Sequence, residues 1–528
     1  MEHHDAITGT AKDFVNADYF QRLQEGTSAA LQTASQALAF LVRINENKKT
    51  PTMVGLDFSP LNQTGFSPIQ SLFKASPEDE YVPMIIYNSL AWERSEIVRI
   101  EGVQPPTNRT VFLVLDQLGN TVPSQLLPRG WQPTGGGLAP GYDLYFEAQI
   151  IPPLGWKTYF VTTPASPPSG TTTATPTTTT KTSATNSLNE PVILQNGVYS
   201  MTLLWNEAVG YYKLSSVANK LTGKTYNVTA RLMEYVAYMD GAYILSTRQQ
   251  AVEVVAPTGS TLQWQLSQGA VVQQFTQFIS DNITQTFRLY NSGDVALNGS
   301  SDFVGRFLEI FHSAALAENR EMILRFDVTP DSTAWGADLT GGLFFSDNGV
   351  ELLHRPRDII RFGDTSERNI IAGGYYPVQA TALLRSNVTT GGELVLLTRQ
   401  SVGASSQLNN SIEVLFHRRT SYDDGRGVGE PLNDTSRLNI PFRYSLFLFV
   451  LFFHNSLVPR ILLDDIEKAE AHRVAQSLSF EYPLQVFYVD TSKYVSPLVD
   501  YTDWTDDYVA SYNPVSGSAH PFSTFPVS

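Results

Sequence analysis

The sequence predicts a mainly β protein that opens on a helical hairpin, and three observations lead there. Short apolar runs divided by turn residues recur from Val82 onward, the pattern of strands joined by tight connections. A stripe with helical spacing is confined to the first 47 residues. Thr, Ser and Val cluster in short runs, 11% of the chain is aromatic, and Gly and Pro punctuate it throughout. β-Branched and aromatic side chains suit a pleated, half-buried surface, and Gly and Pro suit its turns. With 528 residues the chain exceeds what one core organises, so two to four domains are expected.

The elements follow in order. Residues 11–47 read as two helices, because Leu31, Ala34, Leu38 and Leu41 fall on one face while Gly26-Thr27 interrupts the pattern, with Thr27 or Ser28 as the second N-cap. Residues 51–80, rich in Pro, Gly, Ser and Asn, read as a loop. Residues 81–161 read as a small β-domain built on Met84-Ile85-Ile86-Tyr87, Val111 to Leu115 and Tyr142 to Ile151, with a hairpin turn at Leu118-Gly119-Asn120. Residues 162–190 are nearly all Thr, Ser, Pro, Ala and Gly, and read as a linker that cannot bury a core. Residues 191–490 read as a large β-sandwich with turns at Asn219-Lys220, Ser292-Gly293 and Asp347-Asn348-Gly349. One late helix is expected at 464–478, where Asp464-Asp465 suit the positive end of the helix dipole. Residues 491–528 form a tail without periodicity.

Composition narrows the function. A net charge of −15 repels phosphate backbones, so nucleic acid is excluded as the expected partner. Cysteine is absent, which removes disulfides, thiolate metal sites and cysteine nucleophiles. Met1-Glu2-His3-His4-Asp5 is polar and acidic and does not read as a signal peptide. The longest apolar run, Leu446 to Phe453, is too short to span a bilayer and reads as a buried strand. Asn-x-Ser/Thr sequons at Asn62, Asn108, Asn227, Asn282, Asn298, Asn387, Asn409 and Asn433 are compatible with the secretory pathway.

Few clusters carry chemistry. His3-His4-Asp5, followed by Ala6-Ile7-Thr8-Gly9-Thr10, has the composition of a metal and sugar site: imidazole suits zinc, and a neighbouring carboxylate can ligate or accept a sugar hydroxyl. Alone it reads as a solvated or tag-like histidine pair rather than a metal site, because zinc needs three or four ligands. Asp423-Asp424-Gly425-Arg426-Gly427, just after His417-Arg418-Arg419, reads either as a sugar- or anion-reading loop or as a salt-bridged turn. Asp464-Asp465 and Asp506-Asp507 read as a helix start and a solvated loop; paired carboxylates are necessary for most glycosidases but do not diagnose one. The remaining histidines lack zinc spacing and read as core or surface residues.

Several segments in one order resemble the C-terminal half of the lysosomal-type α-mannosidases, glycoside hydrolase family 38. They are His3 to Thr10, Tyr87-Asn88-Ser89-Leu90-Ala91-Trp92, Gly241-Ala242-Tyr243, Phe345-Ser346-Asp347-Asn348-Gly349, Tyr375-Tyr376-Pro377, and His417 to Gly427. The resemblance runs from His3 to about Asn433. It implies the end of a catalytic region and a helical bundle at 1–50, a small immunoglobulin-like β-sandwich, and a large mutarotase-like β-sandwich. It implies a retaining, zinc-dependent α-mannosidase acting on terminal α-mannose of glycans, in a lysosomal or secretory compartment. It makes His4 the last zinc-ligand histidine, and Asp5, Tyr243 and Arg426 sugar contacts. The nucleophile, the acid/base and the other zinc ligands belong to an N-terminal domain that these residues do not include, so no catalytic residue is expected here. A chain short of its nucleophile is expected to be inactive alone. Three readings compete: one half of an α-mannosidase completed by a separately encoded N-terminal half, a non-catalytic carbohydrate-binding β-sandwich protein, or a truncated gene product.

Overall fold

The computed structural model describes residues 5, 8–44, 56–58, 81–103, 112–116, 118–128, 141–163, 179–182, 190–220, 223–247, 249–291, 307–329, 342–357, 371–386, 392–448 and 473–489. His4, most of the expected 162–190 linker, residues 464–472 of the expected late helix and the 491–528 tail lie outside the described residues. The expectation of a mainly β protein holds: the described chain is one long helix followed by strands in several sheets, with a further helix at 473–481 that takes in the described part of the expected late helix.

The N-terminal hairpin is corrected to one continuous helix, Asp13–Ile44, of 32 residues. A glycine in a helix interior costs about 1 kcal/mol relative to alanine, and a helix of nine turns absorbs that without breaking. Side-chain pairs one turn apart bracket Gly26 on its N-terminal side: Arg22 with Asp18 at 2.7 Å, and Gln21 with Glu25 at 2.8 Å. Thr27 and Ser28 therefore lie within the helix rather than at a cap.

The small β-domain has two sheets. The larger runs Leu56–Phe58, Gln485–Val489, Tyr81–Tyr87, Trp156–Thr162, Leu113–Leu115 and Thr121–Val122. The smaller runs Arg94–Val103, Tyr142–Ile151 and Ser124–Pro128. Inward positions of both supply one core, including Met84, Ile86, Ile100, Leu144, Phe146 and Val161. The expected turn at Leu118-Gly119-Asn120 joins paired strands, with Gly119 at φ +80 and the Asp116 N–H donating to the Asn120 carbonyl at 2.9 Å. The strand Gln485–Val489, expected in the large sandwich, is seated instead between Leu56–Phe58 and Tyr81–Tyr87.

The large β-region contains sheets of four, six and ten strands around one continuous apolar core. Thr179–Thr182, inside the stretch expected as a linker, is the edge strand of the ten-stranded sheet and pairs with Gln265 to Gln268. The six-stranded sheet matters most for the site. Its central strands Val228–Val236, Arg320–Val328 and Ser411–Arg419 are antiparallel, with Val236, Arg320 and Arg419 in register at one end. Alternation gives this sheet two different faces. Leu232, Leu324 and Val414 point into the main core. Tyr235, Glu321, Arg325, Glu413 and Arg418 stand on the other face, which is polar although buried.

Candidate functional site

The connections leaving that end of the six-stranded sheet build the site. After Val236 the chain turns through residues 237–247, where Ala237 bridges Thr247 and the Tyr238 N–H reaches the Ser246 carbonyl at 2.9 Å. At the tip, the Gly241 N–H donates to the Ile244 carbonyl at 3.1 Å, and the Tyr243 side chain is left half exposed. After Arg419 the chain enters residues 420–430, where Gly425, Gly427 and Gly429 take positive φ values of +69, +109 and +71. Only glycine adopts such an alternation freely, so these residues shape the loop.

Asp424 ties the two loops together. Its Oδ2 accepts the Tyr243 and Ile244 N–H groups at 2.7 and 2.9 Å, and its Oδ1 accepts the Arg426 N–H at 3.2 Å. The approach is close: a Cβ at Gly241 would stand 2.8 Å from the Asp424 backbone nitrogen. Arg418 holds the same tip from below. Its Nη2 donates to the carbonyls of Gly241 and Ile244, both at 3.1 Å, and its Nε donates to Glu321 at 2.7 Å. Asp240 and Glu321 are fully buried beneath it. Burial pushes the Glu321 carboxyl up to about 8, the Asp240 carboxylate adds to that, and the Arg418 guanidinium opposes it. On the neighbouring position, burial lowers His417 against the pull of Asp434.

The N-terminal segment reaches the same loop. Asp5 sits in a left-handed turn at φ +70, with its carbonyl accepting the Thr10 N–H at 3.1 Å and its Oδ1 accepting the Thr10 hydroxyl at 3.0 Å. Three residues later the helix begins, and the Asp13 N–H donates to Glu430 Oε2 at 2.9 Å. A helix N-terminus has unpaired N–H groups and a positive dipole end, so a carboxylate is the favoured partner there. Residues 424–430 thus touch both the Tyr243 loop and the start of the helix that follows Asp5. Arg426 lies between, with its side chain exposed. His4, the expected zinc ligand, lies outside the described residues. Among the described residues no group of three His, Cys, Asp or Glu could hold a metal ion, so they do not form a zinc site of their own.

The loop at Asp423-Asp424 departs from the salt-bridged turn reading. The Asp424 carboxylate is engaged by backbone N–H groups rather than by arginine. Sequence reasoning placed Arg418 in an arginine cluster beside Asp423-Asp424 and assigned no role to Asp240, Glu321 or Glu430. One signal was present: Arg320-Glu321-Met322-Ile323-Leu324-Arg325-Phe326 places Glu321 and Arg325 on one face of a strand.

Comparison with known proteins adds the following. Residues 194–426 match the family described as glycosyl hydrolases family 38 C-terminal domain. The lysosomal α-mannosidase of Dictyostelium discoideum is 26% identical over 554 residues, covering 98% of this chain and 47% of that protein. The lysosomal α-mannosidase of Cavia porcellus is 29% identical over 454 residues, covering 82% of this chain and 38% of that protein. The chain thus spans less than half the length of either. A solved α-mannosidase from Enterococcus faecalis V583 aligns over 78% of this chain and 46% of its own, at 11% identity and a TM-score of 0.47, a likeness too slight to argue from.

Proposed function

We propose that this chain, whose residues 194–426 match the glycosyl hydrolases family 38 C-terminal domain, is the C-terminal portion of a retaining, zinc-dependent α-mannosidase acting on terminal α-mannose of glycans. In this reading Asp5, Tyr243 and Arg426 contact the sugar, and His4 is one of several zinc ligands. The nucleophile, the acid/base and the remaining ligands come from an N-terminal catalytic half that these residues do not include. The observation that carries the reading is the 424–430 loop. Asp424 holds the Tyr243 loop while Glu430 holds the helix just beyond Asp5, so residues nominated by resemblance alone are tied to one loop.

The expected compartment is lysosomal or secretory. Among the described sequons, Asn227, Asn282, Asn409 and Asn433 are exposed, as glycosylation requires. Asn433 accepts from Arg419 through its Oδ1, which leaves the amide nitrogen to carry a glycan.

The test is reconstitution. The purified chain alone should neither hydrolyse an aryl α-mannoside nor retain zinc through dialysis. Co-expression with a family N-terminal half should restore both. In that complex His4→Ala should lower zinc content and activity together, and Tyr243→Phe should raise KM. Zinc-dependent hydrolysis by the chain alone would refute the division of labour. A reconstituted complex indifferent to His4→Ala and Tyr243→Phe would refute the site.

A further inference from the structure

Beneath the Tyr243 tip lies a cluster with more negative groups than positive ones. Asp240 and Glu321 are both 0% exposed, and Arg418 is the cation that reaches them. With both acids ionised, two buried charges would share one guanidinium, and neither Asp240 oxygen nor Glu321 Oε2 has a hydrogen-bond donor. Leaving three buried acceptors unpaired beside an extra charge is costly. One proton removes both faults: a protonated Glu321 donates to Asp240, and the remaining single charge is matched by Arg418.

We propose that Arg418 is the positioning residue of the Tyr243 loop, and that Asp240 and Glu321 hold it in place by sharing one proton. Its consequence for sugar binding rests on the function proposed above. The geometry couples the cluster to the loop at both ends. Arg418 Nη2 takes the carbonyls of Gly241 and Ile244, the two residues flanking Ala242-Tyr243. Asp240 is the residue immediately before Gly241 in the chain. Repulsion within the acid pair therefore acts on the loop directly.

Among the described residues, the groups facing Glu321 are few. Asp240 comes from the loop, and Arg418 from Ser411–Arg419. Tyr235, its register partner on Val228–Val236, donates its hydroxyl to Glu413 at 2.7 Å and does not compete. Asp424 above the loop is occupied by backbone N–H groups. Burial holds the Glu321 proton until about pH 8, so the loop is clamped in acid and loosens above that value.

Hydrogen exchange read by mass spectrometry on the full chain tests this without requiring activity. After correction for intrinsic exchange, protection of a peptide spanning 240–247 should fall about tenfold between pH 6 and pH 9 in the wild type. Glu321→Gln, which keeps a donor toward Asp240, should abolish that pH dependence. Arg418→Met should lower protection about tenfold at both pH values, and Arg418→Lys should restore part of it. A peptide from Tyr199–Asn206 should be unchanged throughout. Retention of the wild-type pH dependence in Glu321→Gln, or full protection in a folded Arg418→Met, would overturn the proposal. Should Arg418→Met not fold, the isosteric Glu321→Gln arm still decides. Mannoside affinity of the reconstituted complex, measured in parallel, separates the two ideas. Equal binding by wild type and Tyr243→Phe removes the sugar reading, while the exchange results still judge the clamp.

Discussion

Gln125 joins the two β-regions through one carboxamide. Its Oε1 accepts the Val271 and Val272 N–H groups, both at 2.9 Å, and its Nε2 donates to the Val272 carbonyl at 3.0 Å. Gly269 makes room for it, since a Cβ there would come within 2.3 Å of the amide. Arg288 and Arg99 flank the neighbouring Tyr145 ring, each guanidinium 5.9 Å from its centre. Gly269→Ala should cost about 1–3 kcal/mol by overpacking. Gln125→Ala should cost on the order of 3 kcal/mol, because it strands buried backbone groups. The double variant should cost less than the sum, because removing the carboxamide removes the clash. Urea denaturation of the four proteins checks this, and strict additivity would mean the two residues do not meet. At this scale the residues proposed to contact the sugar were legible as motifs, and their supports were not. Asp5, Tyr243 and Arg426 stood in recognisable segments, whereas Gln125, Asp240, Glu321 and Glu430 act through partners hundreds of residues away or across strands, which no local pattern encodes.

The helix Asp13–Ile44 shows propensity overridden by length at the level of the element. Gly26-Thr27 reads as a break in sequence, yet the hydrogen-bonded ladder continues through it. Gly26 has nothing within 4 Å of where a Cβ would lie. Gly26→Ala should therefore stabilise the helix by up to about 1 kcal/mol without a clash, raising its resistance to limited proteolysis. A loss of resistance would mean that the glycine is needed for a contact or a bend. The strand Gln485–Val489 is the converse case. Its apolar run, Val486 to Val489, is visible in the sequence, but its pairing with Met84 to Tyr87 across some four hundred residues is not. Strand pairing is a non-local choice, and periodicity says which face is buried without saying which neighbour buries it.

The whole molecule's pH response follows from two buried groups with opposite displacements. His312 is fully buried, shares a hydrogen bond with Gln285 at 2.9 Å, and burial lowers it to about 3. The unfolded chain binds that proton first, so His312 weakens the fold as pH falls from about 6.5 toward 3. Glu321 is raised from 4.5 to about 8, so the folded chain binds its proton more tightly, and stability falls as pH rises across that interval. Between pH 4.5 and 6.5 the two slopes, each up to about 1.4 kcal/mol per pH unit, oppose one another. Asp327, raised by burial, and His417, lowered by burial, add to the respective sides. The melting temperature should form a plateau at mildly acidic pH and fall on both flanks. Glu321→Gln should flatten the alkaline flank and His312→Gln the acidic one. A maximum above pH 8 would contradict the Glu321 assignment, and a maximum at about pH 3 that of His312.

By itself the sequence determined the β-rich class, the helical start and the turns at Gly119 and Gly349, and it carried the resemblance to a known family, because periodicity, turn chemistry and ordered motifs are local properties of a chain. Tertiary structure decided the rest. It carried the helix through Gly26, sent residues 485–489 back to the small domain, and tied the Tyr243 loop to Asp424 and Arg418. It also set two buried acids against one arginine. The reason is physical: burial, register and the sharing of a proton depend on which residues meet, and that is fixed only when distant strands come together.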